Sequence, residues 1–149
     1  MYRIKKVVSK QILDSRKKPT IQTTVSLTDG STGEASVPSG ASTGIYEAKP
    51  LKASRAIATV NNTINKRLAG EAADQRVVEE SMLKLDGTRN KSKLGANSIL
   101  SVSLATARAI AKSNDEELYN YIARISKTKK LGLPNPFFNI LNGGRHANN

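Results

Sequence analysis

Three hydroxyl side chains, Ser39, Ser42 and Thr43, gather in the stretch Val37-Pro-Ser-Gly-Ala-Ser-Thr-Gly44, beside Gly40 and Gly44. Glycine permits backbone angles that a residue with a Cβ avoids. A small hydroxyl-bearing loop of this kind suits closing over a phosphate or a magnesium ion. The same composition also reads as a plain turn. The only histidine, His146, follows Gly143-Gly144. An imidazole near a phosphate donates hydrogen bonds to it, although a lone histidine after two glycines also reads as a loop residue. Glu47, just past the hydroxyl stretch, reads as a solvated charge. There is no cysteine, so disulfides and thiolate metal sites are excluded. That fits a reducing cytoplasm.

The elements that must hold these groups begin with strands. Residues 2 to 13 are a strand-like run of apolar and β-branched residues. In residues 20 to 28, Ile21, Thr23, Val25 and Leu27 alternate with Gln22, Thr24, Ser26 and Thr28, the period of a half-buried strand. Asp29-Gly30 predicts a tight hairpin turn, and residues 31 to 37 return as a third strand. Three antiparallel strands with one apolar face need helices to cover it. Ile57, Val60, Ile64 and Leu68 make a helical stripe closed by Gly70. Asp74 is placed to cap a second helix carrying Val78, Met82 and Leu85, which Gly87 ends. Residues 96 to 112, rich in Ala, Ile and Leu, predict the central buried helix. Asp115 is expected to cap a fourth helix bearing Leu118, Tyr121 and Ile122. The fold class is therefore α+β, with a three-stranded antiparallel sheet followed by about four helices over residues 1–126. Residues 127–149 read as a basic, Pro-containing linker and a short apolar strand, Phe137 to Leu141, with no sheet to join.

The chain has 149 residues and a formal net charge of +12. That length makes one domain with a real core, but a complete (β/α)₈ barrel needs about 250 residues. No run of about 18 apolar residues is present, so no membrane helix is expected. The charged N-terminus lacks the apolar core and cleavage site of a signal peptide. The positive charge raises affinity for polyanions such as nucleic acid in a non-specific way. No aromatic residues interleave with the basic runs as a stacking platform requires. A solvated basic surface and a dedicated RNA-binding surface both remain open.

Other blocks accompany the hydroxyl stretch. They are Gln11-Ile-Leu-Asp-Ser-Arg16 with Pro19-Thr20, Leu85-Asp-Gly-Thr88 with Asn90-Lys-Ser-Lys-Leu-Gly-Ala-Asn97, and Asn139-Ile-Leu-Asn-Gly-Gly-Arg-His-Ala-Asn148. In order and spacing the chain resembles the enolases (phosphopyruvate hydratases). The resemblance runs over essentially the whole chain and covers the N-terminal capping domain plus the first strand of the family's barrel. It implies Mg²⁺-dependent, reversible dehydration of 2-phosphoglycerate to phosphoenolpyruvate in glycolysis and gluconeogenesis, in the cytoplasm. It also implies two Mg²⁺ per site in a complete member, with a lysine base. The family's base, acid and metal-binding carboxylates lie in the barrel, so no catalytic residue is assigned to this chain, and the chain alone is expected to be inactive.

What the resemblance assigns here is a mobile lid. Ser42 matches the residue whose oxygens bind the second Mg²⁺ on closure. Ser39, Gly40, Ala41, Thr43 and Gly44 shape that loop, with Ala41 and His146 against the substrate. Arg16 matches an arginine of the family's dimer interface.

The chain departs from the family pattern at four places. Lys17-Lys18 stands where enolases usually have Gly-Asn, which implies a changed turn. Gln22 replaces an acidic partner at the dimer interface, weakening the expected homodimer. The segment between Ala48 and Ala53 is short, and Ser101 stands for a helix glycine at a close contact. The alternative reading is a non-catalytic basic module that reuses this domain for RNA or another acidic partner.

Overall fold

The computed structural model describes residues 2–38 and 44–141. Its sheet comprises β1 (Ile4–Leu13), β2 (Pro19–Leu27) and β3 (Thr32–Val37), antiparallel in the order β1-β2-β3. The alternation in β2 is realised. Ile21, Thr23, Val25 and Leu27 are buried, while Gln22, Thr24 and Ser26 lie on the other, partly open face. In β1 a bulge interrupts the pairing between Ile4 and Lys6. The extra residue resets the two-residue period, so Ile4 and Val7, three apart, both enter the core. The β2–β3 turn follows expectation. Gly30 takes φ +91°, and the Asp29 carboxylate accepts the Ser31 N–H at 3.0 Å.

The β1–β2 turn overturns one expectation. Lys17 adopts φ +58°, the left-handed conformation that glycine fills at this kind of turn. Lys17 N–H donates to Asp14 C=O and Asp14 N–H to Lys18 C=O, both at 2.9 Å. This is a type I turn closed by a residue in the left-handed region. The turn therefore persists without its glycine, at a steric cost carried by Lys17.

The sheet is covered on one face. A continuous helical rod runs through α1 (Ala53–Ala58), a π-helical stretch (Thr59–Ile64) and α2 (Asn65–Leu68). It buries Ala56, Val60, Ile64 and Leu68. The rod also shields the free edge of β1. Asn61 Oδ1 accepts the Ser9 N–H at 2.7 Å and Asn65 Oδ1 accepts the Val7 N–H at 2.9 Å. Next come α3 (Gln75–Asp86), α4 (Ala96–Ser113) and α5 (Leu118–Ile125). Asp74 caps α3 by accepting the Val77 N–H at 3.0 Å, and Gly87 ends it at φ +65°.

Helix α4 is the central buried helix and packs across β2 and β3. A methyl group on Gly33 would lie 2.2 Å from Ala105 O and 2.3 Å from Ala109 N. The α4 backbone therefore rests directly on that strand. Ser101 is fully buried but its hydroxyl is satisfied. It lies 2.7 Å from Thr23 Oγ1 and donates to Ser98 O at 3.0 Å, while Thr23 in turn bonds Ser9 Oγ.

Two further expectations are corrected. Asp115 does not cap α5. It sits at φ +51° just past the end of α4, where Glu116 N–H reaches Ala111 O at 3.0 Å and Asp115 N–H reaches Lys112 O at 3.2 Å. That is the bonding of a Schellman end to α4, and Glu117 precedes α5 without a side-chain cap. Phe137 to Leu141 form no strand. Phe137, Phe138, Ile140 and Leu141 are exposed, and the described sheet, β1-β2-β3, does not include them.

Candidate functional site

The loop residues Ser39, Gly40, Ala41, Ser42 and Thr43 lie outside the described residues, as does His146 with Asn142, Gly143 and Gly144. The structure does describe both stems that hold the loop. On the entry side, Val37 ends β3 paired with Ile21, and the buried Thr20 hydroxyl donates to Val37 O. On the exit side, Gly44 opens a turn in which its carbonyl accepts the Glu47 N–H at 3.3 Å.

The exit stem is then bound to a second loop, residues 87–95. Lys49 N–H donates to Asn90 O at 2.8 Å, and Ala96 N–H donates to Lys49 O at 2.9 Å. Two residues on, the Asn97 amide reads both backbone groups of Leu51. It accepts the Leu51 N–H at 3.0 Å and donates to Leu51 O at 2.9 Å. Asn97 thus pairs with the passing chain as a neighbouring strand would. Gly95 makes this approach possible. It has φ +87°, and a methyl group there would meet Leu51 Cγ at 2.5 Å and Asn97 Oδ1 at 3.0 Å.

The loop that does the holding is organised by Asp86, the last residue of α3, which is 2% exposed. Its carboxylate accepts the Leu94 N–H at 2.7 Å, the Thr88 N–H at 2.9 Å and the Thr88 hydroxyl. The Thr88 hydroxyl oxygen in turn accepts the Ser92 N–H at 3.0 Å. Burial pushes the Asp86 carboxyl upward. The Leu94 and Thr88 donors, with the Lys91 charge, outweigh it and hold the group below the ordinary 3.8. An ionised carboxylate satisfied by several donors is a firm anchor.

Arg16, expected at a dimer interface, lies in the β1–β2 turn with its guanidinium 3.6 Å from the Asp14 carboxylate. Asp14 also accepts the Arg16 N–H at 2.9 Å and the Lys18 N–H at 2.8 Å. The Lys18 bond is the main reason its carboxyl is held below the usual value. Gln22 pairs in register with Lys10 and Ser36 on the sheet.

No group of three or more His, Asp or Glu side chains that could hold a metal ion exists among the described residues. These residues therefore do not fit a self-contained Mg²⁺ site. No described helix is long and apolar enough to cross a membrane.

Along the sequence, Asp86, Asn90, Gly95 and Asn97 stand inside the matching blocks with no evident task. Their task is positional. Asp-Gly-Thr after a helical stripe is the one local signal that could have shown it, because an Asp with a Thr two residues on commonly builds a hydrogen-bonded turn.

Two comparisons bear on this arrangement. The family model described as "Enolase, N-terminal domain" matches residues 4–122. A protein named Enolase from Elusimicrobium minutum (strain Pei191) is 45% identical to this chain over 159 residues, covering 99% of this chain. The chain spans 38% of that relative's length. The matched stretch is also longer than the chain's own 149 residues, so the relative carries residues there that this chain lacks.

Proposed function

Since the chain belongs to the enolase family, by its N-terminal domain, we propose that it serves as the lid-bearing part of a phosphopyruvate hydratase. The reaction is the reversible, Mg²⁺-dependent dehydration of 2-phosphoglycerate to phosphoenolpyruvate, carried out in the cytoplasm. The observation that carries this reading is the double tether behind the hydroxyl loop, Lys49 to Asn90 and Ala96, and Leu51 to Asn97. A loop that opens and closes needs fixed ends, so that its motion stays in the loop and returns to one closed geometry.

In this proposal Ser42 offers an oxygen to a magnesium ion whose other ligands come from a barrel corresponding to the rest of the relative. Mg²⁺ supplies charge stabilisation to a carboxylate-derived carbanion. This chain's part is to bring Ser42 and Ala41 over the substrate and exclude water. Ser39, Gly40, Thr43 and Gly44 let the loop adopt its closed path, and His146 donates a hydrogen bond toward the substrate. Arg16 faces a second subunit in a homodimer that Gln22 weakens.

The test is a chimera in which this chain replaces the matched stretch of the Elusimicrobium enolase. Turnover of 2-phosphoglycerate by the chimera, and none by the isolated chain, is the expected result. Turnover by the isolated chain would overturn the division of labour. An inactive chimera that is folded and binds Mg²⁺ would overturn the lid assignment.

A further inference from the structure

The fold brings Tyr46 and Lys49 to one cleft with Arg89 and Lys91, which lie 40 or more residues on in the sequence. The exit stem of the hydroxyl loop and the loop after α3 form the two walls of a cleft of about 600 Å³, lined among others by Tyr46, Glu47, Lys49, Arg89 and Lys91. The Lys49–Asn90 backbone bond at 2.8 Å ties the walls together at the base. Ligand-sized clefts span roughly 300–1,000 Å³, so this one accommodates one or two nucleotides. Tyr46 is 95% exposed, which leaves its ring faces free. The basic runs along the sequence carry no interleaved aromatic, and this cleft lies outside them.

The charge of the cleft is also unsatisfied. Lys49, Arg89 and Lys91 form no ion pair among the described residues, and Glu47 is the one acidic side chain in the lining. Lys91 acts on Asp86 only through its longer-range field. Three cations and one carboxylate leave the cleft positive beside a bare ring.

We propose that this cleft binds single-stranded nucleic acid, with Tyr46 stacking on a base and Lys49, Arg89 and Lys91 neutralising the flanking phosphates. This chemistry fits a single strand better than other polyanions. A base in a single strand offers a π face that a duplex hides, whereas an acidic peptide would use the cations and leave the ring idle. The cleft shares its walls with the exit stem and the loop that tethers it, but nucleic-acid binding there does not depend on the proposed role in dehydration.

The test is fluorescence anisotropy with a labelled ten-nucleotide oligouridylate, titrated with the 149-residue chain over a series of salt concentrations. Tyr46→Ala is expected to weaken binding by about 5- to 150-fold while leaving the salt slope unchanged. Tyr46→Phe, which keeps the ring, is expected to bind within about twofold of the parent. Arg89→Ala with Lys91→Ala is expected to reduce the slope of log K against log salt by about 1.4, at about 0.7 for each phosphate left without its cation. Lys5→Ala with Lys6→Ala, two exposed lysines of β1, removes the same charge outside the cleft and is expected to have the smaller effect. Three outcomes overturn the proposal. The first is no binding by the parent, and the second is an unaltered affinity in Tyr46→Ala. The third is equal losses from the cleft pair and the β1 pair, which would reveal diffuse charge alone.

Discussion

Replacing Asn97 by alanine removes both hydrogen bonds that hold Leu51, at 3.0 and 2.9 Å. Each neutral bond contributes about 1 kcal/mol net, so the tether loses about 2 kcal/mol. That corresponds to roughly a 30-fold increase in local opening, at about 1.4 kcal/mol per factor of ten. The amide of Leu51 loses its acceptor directly and is a poor witness. The informative amides are Lys49 and Ala96, whose own acceptors, Asn90 O and Lys49 O, the substitution leaves in place. If the stem and the 87–95 loop open as one unit, hydrogen exchange at Lys49 and Ala96 should accelerate by the same factor of about 30. Amides of the β1–β2 pairing should slow or quicken only with global stability. Asn97→Asp gives an internal control. It keeps an acceptor for the Leu51 N–H but faces Leu51 O with a carboxylate oxygen, so acceleration should persist. Unchanged exchange at Lys49 and Ala96 in Asn97→Ala would show that Asn97 holds only its own partner, and the rigid stem would be refuted.

Other positions yield sharper stability tests. Gly33→Ala places a methyl group against the α4 backbone at 2.2 and 2.3 Å, and is expected to cost at least about 3 kcal/mol in urea unfolding; a loss under about 1 kcal/mol would contradict the described contact. Lys17→Gly relieves a left-handed residue at φ +58°, for a gain of up to about 1 kcal/mol after the added freedom of the unfolded chain is counted; destabilisation would contradict the turn geometry. The Asp86 carboxyl is held below 3.8 in the folded chain, so its contribution is complete above that value and is lost as pH falls through its lower folded value. Asp86→Asn should therefore flatten the fall in stability below about pH 4, and an acid limb identical to the parent's would refute the assignment.

Much of the architecture could be read from local pattern. The strict alternation of residues 21–27 sets which face of β2 is buried, and the spacing of Val60, Ile64 and Leu68 does the same for its helix. Asp74 and Gly87 mark the two ends of α3 because their chemistry acts within a turn of their own position. Asp115 misled because Asp is at home both before a helix and in the left-handed position after one, and only the α4 carbonyls decide between them. Lys17 misled for a related reason. A turn held by Asp14 through the Arg16 and Lys18 amides tolerates a strained residue that propensity would exclude. The bulge in β1 is set by its pairing with Ser26 and Leu27 of β2, and the Asn61 and Asn65 contacts to its edge span more than 50 residues. The same holds for the candidate site. Asn97 meets Leu51 across 46 residues, and the backbone bond between Lys49 and Asn90 brings the segment carrying Tyr46 to one cleft with Arg89 and Lys91. No spacing rule along the chain encodes these pairings.

The central claim is that the hydroxyl loop acts as a lid through Ser42. The direct measurement is steady-state turnover of 2-phosphoglycerate by the chimera with and without Ser42→Ala, across a series of Mg²⁺ concentrations. The expected result for Ser42→Ala is a kcat/KM lower by at least about tenfold, with a raised Mg²⁺ requirement and unchanged thermal stability, as loss of a metal-positioning group produces. Equal turnover by the two proteins at every Mg²⁺ concentration would contradict it.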